Sequence, residues 1–491
     1  MAMAGSRKLW NRITMIMAII IITGEITSLL VLDRLDGLSI RSLTSWTRPD
    51  NPKMPKSEDV HSIVTDFPVQ TNCEAWLDEA DKLPPGRNFS QNPVIVVFGE
   101  TQNWDSCGVG CNFKSNAGNT DGAFTQGIPG SPFREDGVSH ILRSMESATY
   151  YPENNLASAH AQGYDVVMTT SLASDVPVGY FSWVEYDIMA PVQPKGHDMV
   201  AAAFISNCAA HNFRLEALEE LRRFKVNVDS FGKCHRNKEA KDKLETLRHY
   251  KFSLAFENSN EQDYVTEKFW QSLVAGSVPV VVGAPNIEDF VPAPNSFLHI
   301  KSIDDVSRVA NQIRYLESNS TAYNETLKWK YEGPSNAFKA LVDMATVHSS
   351  CRLCIHLATI IRAEEMGAIP DVVSKRPCKC TDVLGVVTYH IFVRERGRFE
   401  FESVYLRSTE LSIAGLEAAV LAKFRSLDYV PVWTTERPEM IRGDGSLNIH
   451  KLYPVGLTQR DALYSVYFQT DDNVKGHLDD NPCPKLEVIF V

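Results

Sequence analysis

Apolar residues run without polar alternation in several short blocks: 93–98 (PVIVVF), 164–169 (YDVVMT), 187–190 (DIMA) and 199–206 (MVAAAFIS). Unalternated runs of this length fit strands covered on both faces, as in a parallel sheet. From residue 211 the pattern becomes regular. Positions 211–224 carry Phe213, Leu215, Leu218 and Leu221 near helical spacing. A strand is predicted over 226–231, a helix over 241–250, a strand over 251–256 and a helix over 266–275, stopped by Gly276. A strand at 278–282, a short strand at 296–300 and a helix at 302–316 complete the series. Strand and helix alternating at this pitch predict a doubly wound sheet, which binds nucleotides outside the carboxyl ends of its strands. The stretch 347–491 lacks this rhythm. It holds scattered strand-like runs and a basic loop at 394–398, and no chemistry is legible in it.

The pattern before residue 73 is of another kind. Residues 13–32 (ITMIMAIIIITGEITSLLVL) hold one charge, Glu25, and as a helix would span roughly 30 Å, one hydrocarbon core. Arg7, Lys8 and Arg12 precede the run without an acid, so the positive-inside rule predicts residues 1–12 as a cytoplasmic tail and the remainder as lumenal. A cleaved signal peptide is the alternative. Its apolar region would be shorter and end at a small-residue site, which is not evident here. Residues 33–72 are polar and irregular, with Pro49, Pro52 and Pro55, and read as a stem.

Composition narrows the class. The chain has 491 residues, of which 44% are hydrophobic and 22% charged, a mixture able to bury a core. Its net charge of −12 argues against a nucleic-acid partner, which would normally require a basic excess. Ten cysteines behind a membrane anchor point to disulfides in an oxidising compartment, with pairing not legible. Zinc at Cys351, Cys354, Cys378 and Cys380 is the alternative, although the one-residue spacing of the second pair is tight for chelation. Sequons at Asn88, Asn319 and Asn324 are candidate glycosylation sites.

The chemistry concentrates in the segment 256–269 (FENSNEQDYVTEKF), a polar loop between a buried strand and a helix. Thr266 is the candidate N-cap, which places Glu267 and Lys268 in the first turn beside unpaired amides suited to a diphosphate. A cation is unfavourable at that end of a helix, so an anion is expected to compensate Lys268. Asn258 and Tyr264 stand where ligand contacts collect, and Gly283 is expected to let backbone approach a ligand. No Asp-x-Asp triplet occurs, so no metal site is predicted; Glu185 and Asp187 read as a strand-edge polar pair. Trp183 and Tyr186 read as core.

The string 256–290 (FENSNEQDYVTEKFWQSLVAGSVPVVVGAPNIEDF) resembles the signature of α1,3/4-fucosyltransferases, and SMESA, YFSWVEYDIMAP, AAFISNCAAHNFRLEAL and VDSFGKCH extend the likeness. The cysteine-bearing tail (HSSCRLCIHLATIIR, RPCKCT, VRERGRF) resembles the plant-type core α1,3-fucosyltransferases. The resemblance implies an α/β fold of GT-B type with two Rossmann-like domains, an N-terminal membrane anchor helix and a cysteine-containing C-terminal extension. The expected divisions are 1–12 tail, 13–32 anchor, 33–72 stem, 73–198 acceptor-side domain, 199–346 GDP-fucose-binding domain and 347–491 C-terminal region. It implies an inverting enzyme of the Golgi membrane that moves L-fucose from GDP-β-L-fucose, in α1,3 linkage, to the Asn-linked core GlcNAc of N-glycans on glycoproteins. By the same resemblance Glu146 is the base, and Arg214, Asn258, Tyr264, Glu267 and Lys268 line the donor site. No cofactor is essential; stimulation by free Mn2+ or Mg2+ stays open, as does the oligomeric state. The alternatives are a Lewis-type outer-arm α1,3/4-fucosyltransferase and a non-catalytic lumenal glycan-binding protein on the same fold.

Overall fold

The computed structural model describes residues 71–97, 102–103, 107–114, 118–124, 137–196, 198–443, 445–451 and 468–491. The expected tail, anchor and nearly all of the stem lie outside the described residues. Among the described residues, no single helix is long and apolar enough to cross a membrane.

Two mostly parallel sheets follow one another along the chain. The first has the order β2-β3-β1-β4-β5-β6, built from β1 (Val94–Val97), β2 (Gln102–Asn103), β3 (Cys111–Lys114), β4 (Gly122–Phe124), β5 (Ser139–Arg143) and β6 (Val166–Met168). Only β2 runs antiparallel to its neighbour. The second sheet is parallel throughout, in the order β11-β10-β9-β7-β8, from β7 (Ala201–Ala203), β8 (Val228–Ser230), β9 (Phe252–Phe256), β10 (Val278–Val282) and β11 (Leu298–His299). Every residue of β9 and β10 is buried, which is why their sequences do not alternate. Pro279 sits inside β10, where its missing amide would break a ladder. It is tolerated because pairing with β11 begins one residue later, at Val280 opposite Leu298.

In the second sheet the chain leaves β7 towards β8 on one side and resumes at β9 on the other. That reversal creates a crevice at the carboxyl ends of β7 and β9, the place where such sheets take ligands. The helices Arg214–Arg223 and Glu267–Val274 both begin there.

The expected strand at 187–190 is a turn instead. Ile188 and Met189 are buried, as their apolarity predicted. The carbonyls of Ile188 and Ala190, however, accept from Lys330 Nζ at 2.6 and 3.0 Å rather than from a neighbouring strand. A lysine ammonium with three donors has replaced the ladder.

The third sheet joins β12 (Lys379–Thr381), β13 (Val387–Glu395), β14 (Glu402–Arg407), β15 (Leu447–Lys451) and β16 (Lys485–Phe490). Its pairs are antiparallel except β13 with β16. All ten cysteines form disulfides, pairing 73 with 380, 107 with 351, 111 with 354, 208 with 234 and 378 with 483. The zinc alternative therefore falls. Cys351 and Cys354 lie one turn apart on the helix Ser349–Gly367, and this helix packs Leu353, Leu357 and Ala358 into the core of the first sheet.

Candidate active site

Glu257 is the first residue after β9, and its amide bonds Val282 O at 2.7 Å. The residue is 2% exposed. The carboxylate accepts from Thr266 N at 2.8 Å, from Thr266 Oγ1 at 2.9 Å and from Lys268 Nζ at 3.0 Å. A Cβ on residue 283 would lie 2.8 Å from Glu257 Cγ. Gly283 is thus needed to clear Glu257.

Thr266 caps the helix Glu267–Val274, which turns Phe269, Trp270, Leu273 and Val274 into the core and leaves Glu267 and Lys268 half-buried at its start. Lys268 Nζ lies 3.3 Å from Glu267 and donates to Thr266 Oγ1 at 2.8 Å. Lys243 Nζ reaches Glu267 at 3.7 Å. Burial pulls the Lys268 ammonium down, but Glu257 and Glu267 outweigh it and hold the pKa above the ordinary lysine value. Burial pushes Glu267 up, and Lys268 and Lys243 more than reverse that. The anion expected to offset Lys268 is therefore supplied largely by the chain itself.

Arg214 opens its helix and is 2% exposed. Its Nη1 donates to Phe256 O at 3.2 Å and its Nη2 to Asn207 O, so it pins together the two segments that leave β7 and β9. Arg214 Nε is buried without a hydrogen-bond partner. Asn258 is half-buried and accepts from Ser259 Oγ at 3.2 Å. Tyr264 is buried and meets Tyr180 edge-on at 6.4 Å between centroids. Burial, with Glu146, Glu267 and Glu257, pushes the Tyr180 hydroxyl up to about 12. Tyr264 is raised by burial and the same three carboxylates, with Tyr180 adding to them. Both phenols stay neutral donors at any physiological pH.

Glu146 is exposed, in a bend after β5. Its amide bonds Ser144 Oγ at 3.3 Å, and Asn154 Nδ2 holds its carbonyl at 2.9 Å. Neighbouring residues tie this bend towards the second sheet. Ser147 Oγ donates to Glu261, and Tyr150 stacks on His211 at 4.1 Å. Tyr180 OH donates to Met145 O at 2.9 Å. The fold thus brings Glu146, Tyr264, Glu267 and Lys268 into one electrostatic neighbourhood, with Arg214 and Asn258 at the adjoining strand ends.

A cavity of 410 Å³ opens beside this cluster, lined among others by Arg143, Tyr180, Asp263, Glu267, Trp270 and Arg352. Glu267 is the one sequence-nominated site residue in its wall. Asp263 bridges the two halves, taking Leu172 N at 3.0 Å and Asn286 Nδ2 at 2.8 Å from a left-handed backbone with φ 65°. Trp183 and Tyr186 lie in the core as expected. Among the described residues no cluster of His, Cys, Asp or Glu is arranged to hold a metal ion. Asn88 and Asn324 are exposed, whereas Asn319 caps the helix Ser320–Thr326 through Ala322 N at 3.0 Å.

Glu257, Lys243, Tyr180 and Asp263 escaped the sequence reading. Glu257 alone left a trace: an acid closing a buried strand, with a glycine at the equivalent position after the next strand.

Residues 194–372 match the family described as glycosyltransferase family 10 (fucosyltransferase) C-term. The Arabidopsis thaliana protein named "Putative fucosyltransferase-like protein" is 53% identical over 489 residues, 99% of this chain and 93% of its own. The chain belongs to the glycosyltransferase family 10 fucosyltransferases. GDP-fucose protein O-fucosyltransferase 3 of Xenopus laevis is 27% identical over 333 residues, 57% of this chain and 71% of its own. Glycoprotein 3-alpha-L-fucosyltransferase A of Drosophila melanogaster is 33% identical over 208 residues, 39% of this chain and 38% of its own.

Proposed function

We propose that this fucosyltransferase takes GDP-β-L-fucose as donor and transfers L-fucose, with inversion, to O3 of the Asn-linked core GlcNAc of N-glycans. In the same reading it is a single-pass type II protein of the Golgi membrane with its catalytic portion in the lumen, as the charge asymmetry around residues 13–32 supports. The two parallel sheets suit a GT-B arrangement, with the donor on the second. The observation that carries the reading is the crevice between β7 and β9, where a helix N-terminus, Lys268 and Arg214 converge opposite the Glu146 bend.

In this reading Glu146 accepts the proton of the acceptor hydroxyl as its oxygen attacks C1 of fucose. The bond from C1 to the diphosphate oxygen breaks, and GDP departs with the electron pair. Lys268, the amides of the first turn and the unpartnered Nε of Arg214 offset the charge that develops there. Tyr180 and Tyr264, held neutral, can donate to sugar or phosphate oxygens.

The kinship to a glycoprotein 3-alpha-L-fucosyltransferase supports the core acceptor. The kinship to a protein O-fucosyltransferase supports a second reading, transfer to a protein hydroxyl. The full-length chain, assayed with GDP-fucose on truncated N-glycopeptides, antennary glycans and unglycosylated folded domains, separates these. Fucose on the innermost GlcNAc is expected; label only on antennae or on a protein hydroxyl defeats the core assignment, and failure to bind GDP would favour a glycan-binding protein. Glu146→Gln should lower kcat by about 10²-fold or more. Because Glu146 is exposed, stability should shift by no more than about 0.5 kcal/mol.

A further inference from the structure

The cavity beside the donor cluster has two poles of opposite charge. Glu185, Asp263 and Glu267 lie at one, and Arg143 and Arg352 at the other, beside the neutral ring of His348. Arg143 and Arg352 have no carboxylate to balance them among the described residues. Arg352 Nε is spent on Val347 O at 3.1 Å, while its Nη1 is buried with no hydrogen-bond partner. Buried guanidinium groups are ordinarily satisfied, so an unmet Nη1 on a cavity wall points to a ligand. Burial lowers the Arg352 pKa to about 10, and Arg143 adds repulsion. Arg143, exposed as a residue, is lowered too by the partial burial of its guanidinium. Burial, with both arginines, lowers His348, whose ring accepts Ser350 N at 3.2 Å and so caps the same helix. Two arginines that repel each other, at the start of a 19-residue helix, describe a site that an oxyanion would relieve.

We propose that Arg143 and Arg352 form an oxyanion site on the acceptor side of the cavity, separate from the donor diphosphate site, which holds an anionic group carried by the acceptor. The placement favours the acceptor. Arg143 ends β5, three residues before Glu146, whereas Arg214 and Lys268 are not in the cavity wall. The inference rests on the functional reading above for which side is the acceptor's.

Inorganic sulfate is the probe, applied to the full chain at constant ionic strength with chloride as control. Sulfate should raise the melting temperature saturably, and the rise should persist with saturating GDP. Arg143→Gln, at an exposed strand end, and Arg352→Gln should each weaken the sulfate response at least tenfold while leaving GDP affinity within twofold. In turnover, sulfate should raise KM for the acceptor and leave KM for GDP-fucose unchanged, with Arg143→Gln insensitive. No saturable rise, a rise abolished by GDP, a response in either variant as strong as that of the unaltered chain, or competition with GDP-fucose would overturn the proposal. Absence of fucose transfer would defeat the functional reading instead, and leaves the sulfate and GDP binding results to decide this one.

Discussion

Lys268 neutralises a buried acid, and in the proposed function it also supplies charge to the donor site. Glu257, 2% exposed, has Lys268 as its one cationic hydrogen-bond partner among the described residues. Removing one member of such a pair leaves a desolvated charge, which costs about 3 kcal/mol or more. Lys268→Ala should therefore lose both GDP binding and stability. Glu257→Gln in the same chain should restore part of the stability without restoring binding. Urea denaturation of both single variants and the double variant checks this through the coupling energy. The pH dependence of the cluster has a fixed sign. The Lys268 contribution, with its pKa raised, is complete at neutrality and fades as pH climbs through the elevated value. The Glu267 contribution, with its pKa lowered, fades as pH falls through the depressed value. Sequence reasoning saw that a cation at the start of the helix needs an anion. It named no source for that anion, because nothing local shows that the residue after β9 folds back onto Lys268.

The helix Ser349–Gly367 shows how one element serves several ends. It fills the first sheet's core, takes two disulfides and begins at the cationic wall of the cavity. Replacing Cys111 and Cys354 together by serine opens a link spanning 243 residues, and should cost about 2–5 kcal/mol. The loss should appear as a lower urea midpoint, with Cys107–Cys351 still formed in peptide mapping. Strongly periodic elements such as Glu267–Val274 and Val306–Ser318 were legible because their burial stripe is written in the spacing. The short strands β3, β4 and β5 were not legible: their burial alternates or is partial, so they lack the continuous apolar run that marks β9 and β10. The turn at 187–190 failed for the opposite reason, since burial alone imitates a strand and Lys330 is remote in sequence.

At the scale of the whole molecule, the C-terminal sheet is bound to the rest by buried polar contacts as well as disulfides. Arg437 pairs with Asp343 and donates to Phe490 O at 3.0 Å, and Arg376 meets Asp81 at 2.5 Å. Within that sheet, burial raises Glu395 from 4.5 to about 7, while Tyr429 and Val432 N resist the change. The native state then keeps this proton to a higher pH than the unfolded chain. Its contribution to stability should decline between about pH 4.5 and 7, by an amount on the order of 3 kcal/mol. Glu395→Gln should flatten that slope in thermal melts; an unchanged slope would remove Glu395 as its source. The sequence by itself determined the alternation of strand and helix, the buried character of β9 and β10, and the polar loop that holds the donor-site candidates, because these depend on periodicity and local capping. The tertiary structure alone decided the cysteine pairing, the role of Glu257, the bend that carries Glu146 towards Tyr264, and the cation-walled cavity. Each of these depends on which distant segments meet, and chain spacing carries no record of that.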